Sequence, residues 1–167
     1  MSNTYKEHLT LHKWNLWAHL PHDTDWSIHS YKKIYSMNTI EEMITIIETI
    51  PDTLVKNCML FIMKEDITPV WEDIHNRNGG CFSYKISNKN VYEVWKDLTY
   101  VLVGNTISSN DPFVSCVNGI TISPKKNFCI IKIWMTNCKH QNASIVTQDV
   151  KGLSPHGCLF KKHAPEY

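Results

Sequence analysis

Residues 69–80 form a segment that neither a helix nor a regular strand can absorb. It runs Pro69-Val70-Trp71-Glu72-Asp73, passes through Asn76 and Arg77, and closes on Gly79-Gly80. A Pro at one end and a Gly pair at the other mark it as a loop. Before it, Met59 to Met63 is a short continuous apolar run, as in a central strand. After it, Phe82, Tyr84 and Ile86 alternate, as in a strand returning from the loop. Trp71 offers a flat, electron-rich face, and Glu72 offers acceptor oxygens with no donor. Two readings are open. Trp71 is a core residue beside solvated turn acids, or the pair suits a flat, cationic ring with N–H donors along one edge.

The remaining elements follow from patterning. Residues 1–8 are a polar, frayed start. Leu9, Leu11, Trp14, Leu16 and Trp17 alternate with one break, which predicts an edge or bulged strand. The polar loop His22-Asp23-Thr24-Asp25 presents Trp26 at its tip, and Ile28 to Tyr35 reads as a second strand. Thr39-Ile40-Glu41-Glu42 is a capping box, and Ile40, Met43, Ile44, Ile47 and Ile50 follow at helical spacing up to Pro51. Such an apolar helix is buried on both faces or shows one to a partner. Asn90-x-x-Glu93 predicts a second helix cap, with Val91, Val94, Trp95, Leu98 and Leu102 as its core stripe and Gly104 as its C-cap. Val117 to Ile122 and Phe128 to Trp134 read as strands around the basic tip Pro124-Lys125-Lys126-Asn127. Residues 140–151 are read as a short third helix and Gly157 to Lys162 as a final strand. This order predicts an α+β fold: a curved antiparallel sheet with helices collected on one face.

Composition narrows the function. A chain of 167 residues fits one domain, residues 1–167. A net charge of +1 argues against a long electrostatic track for duplex nucleic acid, but not against a short, locally basic site. Arg77 is the only arginine, so phosphate contacts must rely on Lys or on backbone N–H groups. The six cysteines include no C-x-x-C pair, and no apolar run reads as a signal peptide or membrane span. An intracellular, reducing setting with free thiols is expected. His19-x-x-His22, Cys138-Lys-His140 and His156-Gly-Cys158 lack zinc-site spacing, so no metal and no cofactor is expected. A catalytic role for Glu72 would need a nucleophile or a partner acid, and Asp73 beside it points elsewhere if the segment is extended, so catalysis is not expected.

The tryptophans carry a resemblance. Trp14-Asn15-Leu16-Trp17, Asp25-Trp26, Ile67-Thr68-Pro69-Val70-Trp71-Glu72-Asp73 with Asn76 and Gly79-Gly80, Val94-Trp95, Gly104 and Ile131-Lys132-Ile133-Trp134 with Cys138 stand in order along the chain. From Trp14 to about His163 the sequence resembles the cap-binding translation initiation factor 4E family. The resemblance implies a cupped sheet with the cap on its concave side and three helices on the convex back. It implies that Trp26 and Trp71 sandwich 7-methylguanine and that Glu72 accepts from its N1–H and 2-amino groups. By the same resemblance the Trp71 backbone N–H donates to O6, and Trp134 lies beside the N7-methyl. Capped mRNA is then the ligand, a scaffold of the initiation factor 4G type the partner, and the cytoplasm the setting. A repressor that binds caps without that scaffold is the alternative.

Departures from the family stand beside these matches. Cys81 and Phe82 occupy positions where the family typically has arginine and tryptophan, and Ile130 one where it carries lysine. Lys125 matches a basic residue on the phosphate side, Lys126 is a candidate for a second, and Phe128 and Ile130 offer apolar contact beyond them. The phosphate grip is expected to be thin, and two readings of Phe128 and Ile130 stay open: they compensate by contacting the first nucleotide, with a base on Phe128, or they pack into the sheet. On the convex side, His8 and Ile40 match residues of the scaffold-binding surface, whereas Ile44, Lys96 and Tyr100 replace a tryptophan and leucine-type positions. This is expected to weaken recognition of a Tyr-x-x-x-x-Leu helix. The Lys/Ile/Asn bias is in keeping with a divergent, virus-encoded member.

Overall fold

A computed structural model describes residues 7–165, so the expectation for the polar start falls largely outside the described residues. Among these residues, β1 (Leu9–His19), β2 (Tyr31–Thr39), β3 (Met59–Lys64), β4 (Gly80–Ser87), β5 (Val117–Pro124), β6 (Phe128–Met135) and β7 (Leu159–Lys162) join into one curved sheet. Its order is β2-β1-β3-β5-β6-β4-β7. Every neighbouring pair is antiparallel. Because side chains alternate along a strand, the sheet has two differently furnished faces. Trp14, Leu16, Leu60, Ile62, Phe82, Tyr84, Ile120, Ile122, Ile131 and Ile133 point into the main core. Phe61, Met63, Cys81 and Trp134 point the other way and form a smaller apolar floor with Trp17, Tyr31 and Met59.

Helices α1 (Ile40–Thr49), α2 (Asp52–Asn57) and α3 (Val91–Val103) contribute to the main core, as does the short α4 (Asp111–Cys116) through Phe113. The capping box forms: Glu42 N–H donates to Thr39 Oγ1 at 3.1 Å, and Thr39 N–H donates back to Glu42 Oε2 at 3.3 Å. The apolar residues of α1 divide between two tasks. Met43 and Ile47 are buried, while Ile40 and Ile44 stay exposed. On α3 the stripe Val91, Val94, Trp95, Leu98 and Leu102 is buried as expected. Gly104 is its C-cap, as expected, with its N–H donating to the Tyr100 carbonyl at 2.9 Å, and the left-handed Asn105 (φ 56°) follows; Asn90, however, makes no side-chain capping bond.

Three local expectations need correction. The third helix is absent from residues 140–151, which hold only a 3-10 turn at Ala143–Ile145. Asn142 accepts from Ser144 N–H at 3.0 Å, while Thr147 N–H donates to Ile107 O and the Ile145 carbonyl accepts from Ser108 Oγ. A short polar side chain offers a turn in place of the helix, and the backbone bonds to its neighbours instead. The second strand starts later than expected, since Ile28–Ser30 is a 3-10 turn that precedes Tyr31. β1 is the bulged strand predicted, with register shifts against β2, but it lies inside the sheet and β2 forms the edge.

Candidate functional site

The segment 69–80 is a run of turns between β3 and β4, held by two side chains. Asp73 Oδ2 accepts from Thr68 N–H (2.9 Å) and Thr68 Oγ1 (2.7 Å), and its Oδ1 accepts from His75 N–H (2.8 Å) and Nδ1 (2.9 Å). Burial works to raise the Asp73 pKa, but these bonds outweigh it and hold it below the usual value. Asp73 is thus committed to the loop, which is a run of turns and not the extended segment expected. Asn76 is fully buried, at 0 % exposure. Its amide donates to the Thr68 and Val70 carbonyls at 3.0 Å each, and its Oδ1 accepts from Asn118 Nδ2 at 2.9 Å. Gly79 closes the loop where a Cβ would lie 1.8 Å from the Met135 carbonyl oxygen, so only glycine fits there.

With the loop held this way, Trp71 and Glu72 face a cavity of about 340 Å³ whose lining also includes Trp26, Tyr31, Phe61, Lys132 and Trp134. The residues expected at the cap, Trp26, Trp71, Glu72 and Trp134, are thereby brought to one place from a loop tip, a turn and strand β6. Trp26 is 60 % exposed and Trp71 37 %, so neither is spent on the core. Trp134 is buried in the floor. The open reading of Trp71 as a core residue is excluded by this exposure.

Each exposed indole is covered on one side by a histidine. The His19 ring stacks on Trp26 with centroids 3.9 Å apart and planes within 4°. His19 is itself buried and donates from Nε2 to the Asp25 carbonyl at 2.8 Å. Asp25 accepts from Ser27 N–H (2.8 Å) and Ser27 Oγ (2.9 Å), so the Trp26 loop is ordered from within. His163 stacks against Trp71 at 5.8 Å and 17°, and packs against Trp134 at 5.0 Å. Its Nδ1 donates to the Asn76 carbonyl at 2.7 Å, and its buried Nε2 has no partner among the described residues. Neither histidine was singled out in the sequence as part of this site, because nothing local marks a residue that lies behind another.

Burial, with a smaller push from Lys132, lowers the His163 pKa despite the bond to Asn76. A histidine with a depressed folded pKa binds its proton more readily when unfolded, so its contribution is present above the usual pKa and is lost as pH falls below it. The melting temperature is therefore expected to drop as pH falls from about 6.5 toward 5, the range below the ordinary histidine value. In His163→Phe that drop should be smaller. An equal drop in both proteins, followed by circular dichroism, would refute the assignment.

The phosphate-side expectations fare differently. Lys125 and Lys126 stand exposed at the β5–β6 tip, closed by Lys125 N–H to Phe128 O at 2.8 Å. Trp134 lies six residue steps along the strand from Phe128, roughly 20 Å at about 3.3 Å per residue. The tip lysines do not line the cavity, whereas Lys132 does. Phe128 and Ile130 share the face of Lys132 and Trp134, but Lys85 Nζ already covers the Phe128 ring at 4.3 Å.

On the opposite face, Ile40, Ile44 and Tyr100 meet in an apolar groove of about 370 Å³ with Met43 and Val103. Tyr100 OH donates to Glu48 Oε1 at 2.6 Å. Lys96 lies outside the groove lining, 3.4 Å from Glu93 and 3.9 Å from Glu48. His8 packs at the start of α1, where its backbone N–H and Nδ1 both bond Glu41.

A cupped antiparallel sheet with an aromatic cavity on one face and helices on the other is the class of fold that these elements define. Within it, the chain belongs to the Eukaryotic initiation factor 4E family, whose sequence profile matches residues 10–163. Among the relatives, Eukaryotic translation initiation factor 4E-2 of Schizosaccharomyces pombe is 32% identical over 144 residues, covering 82% of this chain and 57% of that protein. A homolog from Acanthamoeba polyphaga mimivirus is 40% identical over 62 residues, covering 37% of this chain and 23% of its own length. The chain thus spans little more than half of the fission yeast relative. In structure it matches a schistosome eIF4E complexed with m7GpppG and 4E-BP, with a TM-score of 0.72 at 21% identity over 80% of this chain and 75% of that one. C. elegans eIF4E-3 in complex with the 4E-binding protein Mextli and a cap analog matches with TM-score 0.72 at 19% identity, over 80% and 76%. At these identities the likeness establishes the fold. No described helix is long and apolar enough to cross a membrane.

Proposed function

We propose that this protein binds the 7-methylguanosine cap of mRNA and brings capped mRNA to translation initiation, without a catalytic step. The observation that carries the reading is the convergence of Trp26, Trp71, Glu72 and Trp134 on one cavity in a member of the 4E family. Methylation at N7 leaves the purine with a delocalised positive charge, so each indole face adds a cation–π attraction of roughly 0.5–2 kcal/mol to stacking. Glu72 reads the guanine edge through charge-assisted hydrogen bonds of about 1.5–3 kcal/mol each. After the costs of association, a dissociation constant at or below about 1 μM is reasonable. Complexes of the schistosome and nematode relatives with cap compounds support this assignment.

A 4G-type scaffold is the partner in this reading, and the apolar convex groove of Ile40, Ile44 and Tyr100 supports it as a surface for an apolar helix face. Exposure of Ile44 (45 %) and of Ile40 (40 %) supports partner engagement over the scaffold-free repressor. Such a role places the protein in the cytoplasm. Retention on 7-methylguanosine resin tests the reading. Release is expected with free 7-methyl-GTP and not with equal GTP, and equal release by both would overturn it.

A further inference from the structure

Lys64, at the end of β3, is a half-buried cation without a counter-charge. Among the described residues its ammonium makes no ion pair and no hydrogen bond. Burial disfavours its charge and lowers its pKa, with the Cys116 thiol acting in the other direction. A charge withdrawn from water is costly until a partner of opposite sign meets it. Lys64 pairs with Trp14 across β3 and β1, so it stands on the helix face of the sheet, away from the Trp26/Trp71 cavity.

There it lines a cavity of about 540 Å³ beside the C-terminal end of α4, which shares no residue with the aromatic cavity. Leu11 and Ile67 give it apolar wall, and His12 stands edge-on to Trp14 with centroids 6.2 Å apart. The walls are fixed from within. Glu65 N–H donates to the Lys13 carbonyl at 3.0 Å, and the Asn15 amide donates to the Glu65 carbonyl at 3.2 Å. The neutral donors of the lining are spent inside the protein. Ser115 Oγ donates to the Asp111 carbonyl, Asn118 Nδ2 to the His75 carbonyl and Asn76 Oδ1, and Thr136 Oγ1 to the His75 carbonyl. His75 Nδ1 is taken by Asp73. The Lys64 ammonium and the His12 ring, which makes no hydrogen bond, are what the cavity has left to offer. Burial and the Lys64 charge lower the His12 pKa, and a neutral imidazole still offers one N–H. Glu65 and Asp66 at the exposed rim form no ion pair with Lys64, and Lys13 stands at the rim with them.

We propose that this cavity is a second ligand site, separate from the aromatic one, which takes a small molecule by a phosphate or carboxylate group held by Lys64 and the His12 ring. Its apolar part lies on Leu11 and Ile67. The volume falls within the usual range of small-molecule pockets, about 300–1,000 Å³. Phosphate and carboxylate share one chemistry here, an oxyanion that accepts charge-assisted N–H bonds and supplies the charge that Lys64 lacks. Because the two cavities have no residue in common, this site stands or falls apart from the cap-binding reading.

The test is an NMR titration of the isotope-labelled full chain with inorganic phosphate, with citrate, and with sodium chloride at matched ionic strength. Phosphate or citrate is expected to give saturating shifts at the amides of Leu11, Lys64 and Ser115 that sodium chloride does not reproduce. The tighter of the two identifies the anionic group as phosphate or carboxylate. Lys64→Gln, shown by circular dichroism to be folded, should weaken that binding at least about tenfold, the loss of a charge-assisted bond. Lys64→Arg should retain it, and so should Lys151→Gln, which removes an exposed lysine outside the cavity. Where Lys64→Gln does not fold, His12→Ala takes its place, and a clear loss of affinity is expected from it too. Shifts that never saturate, or that sodium chloride reproduces, overturn the site. Saturating binding that the folded Lys64→Gln or His12→Ala protein keeps in full overturns it as well.

Discussion

Trp71→Ala should lower the affinity for 7-methyl-GDP by at least tenfold while leaving the protein folded. Trp71 is 37 % exposed and lies in the turn segment, so its indole contributes little to the main core. What it offers is one ring face toward the cavity, the ring being backed by His163. Truncation removes stacking and a cation–π attraction together, and each 1.4 kcal/mol lost is tenfold in affinity. Trp26→Ala should behave alike, because its ring is 60 % exposed and rests on His19. Glu72→Gln keeps the shape but replaces a carboxylate by an amide, which accepts more weakly and aims a donor at donors. A ten- to hundredfold loss is expected from a hydrogen bond to a charged group, about 1.5–3 kcal/mol. The preference for 7-methyl-GDP over GDP should fall in the tryptophan variants and persist in Glu72→Gln, since methylation acts through the ring charge. Fluorescence titration measures all of these. Undiminished affinity in a folded Trp71→Ala protein would remove the clamp from the account.

The second large effect is expected at Asn76, a residue that touches no ligand. Asn76→Asp should destabilise the protein by about 2–4 kcal/mol and abolish measurable cap binding even where the protein remains folded. The Asn76 amide satisfies the carbonyls of Thr68 and Val70, the turn leading directly into Trp71. Its own carbonyl accepts from His163, the ring behind Trp71, and its side-chain oxygen ties the loop to Asn118. An aspartate sets acceptor against acceptor at two buried carbonyls, and a buried polar group left unpaired costs more than a bond gains. Urea denaturation gives the stability change, and titration at a temperature where both proteins are folded gives the binding. A variant with normal stability and normal affinity would show that the loop holds without this side chain.

Much of the fold and site was legible along the chain because the determinants are local. The capping box of α1, the core stripe of α3 and the Pro-to-Gly bounds of the Trp71 loop each depend on residues a few positions apart. They read correctly for that reason. Trp26, Trp71, Glu72 and Trp134 were marked by residue type and by their order along the chain, and the fold brought them to one cavity. Residues 140–151 misread as helix because the deciding bonds, to Ile107 and from Ser108, come from more than thirty residues away in sequence. The same distance hid His19 and His163, whose role is to lie behind another ring. It also hid the division of α1, where identical isoleucine spacing puts Ile47 in the core and Ile44 in an open groove.

The lysines on the cavity side of the sheet are the clearest case. Lys85, Lys132 and Lys161 stand on three strands far apart in sequence, and alternation shows only that each shares a face with its neighbours two residues away. Which residues stand beside one another across β6, β4 and β7 is set by register, and a slip of one residue would send a whole strand's side chains to the other face. Sequence alone thus settled the elements and the aromatic signature, where the physics is that of neighbours along the chain. The charged floor, the rings behind the indoles and the open groove were decided by tertiary pairing, where the physics is that of residues the chain itself keeps apart.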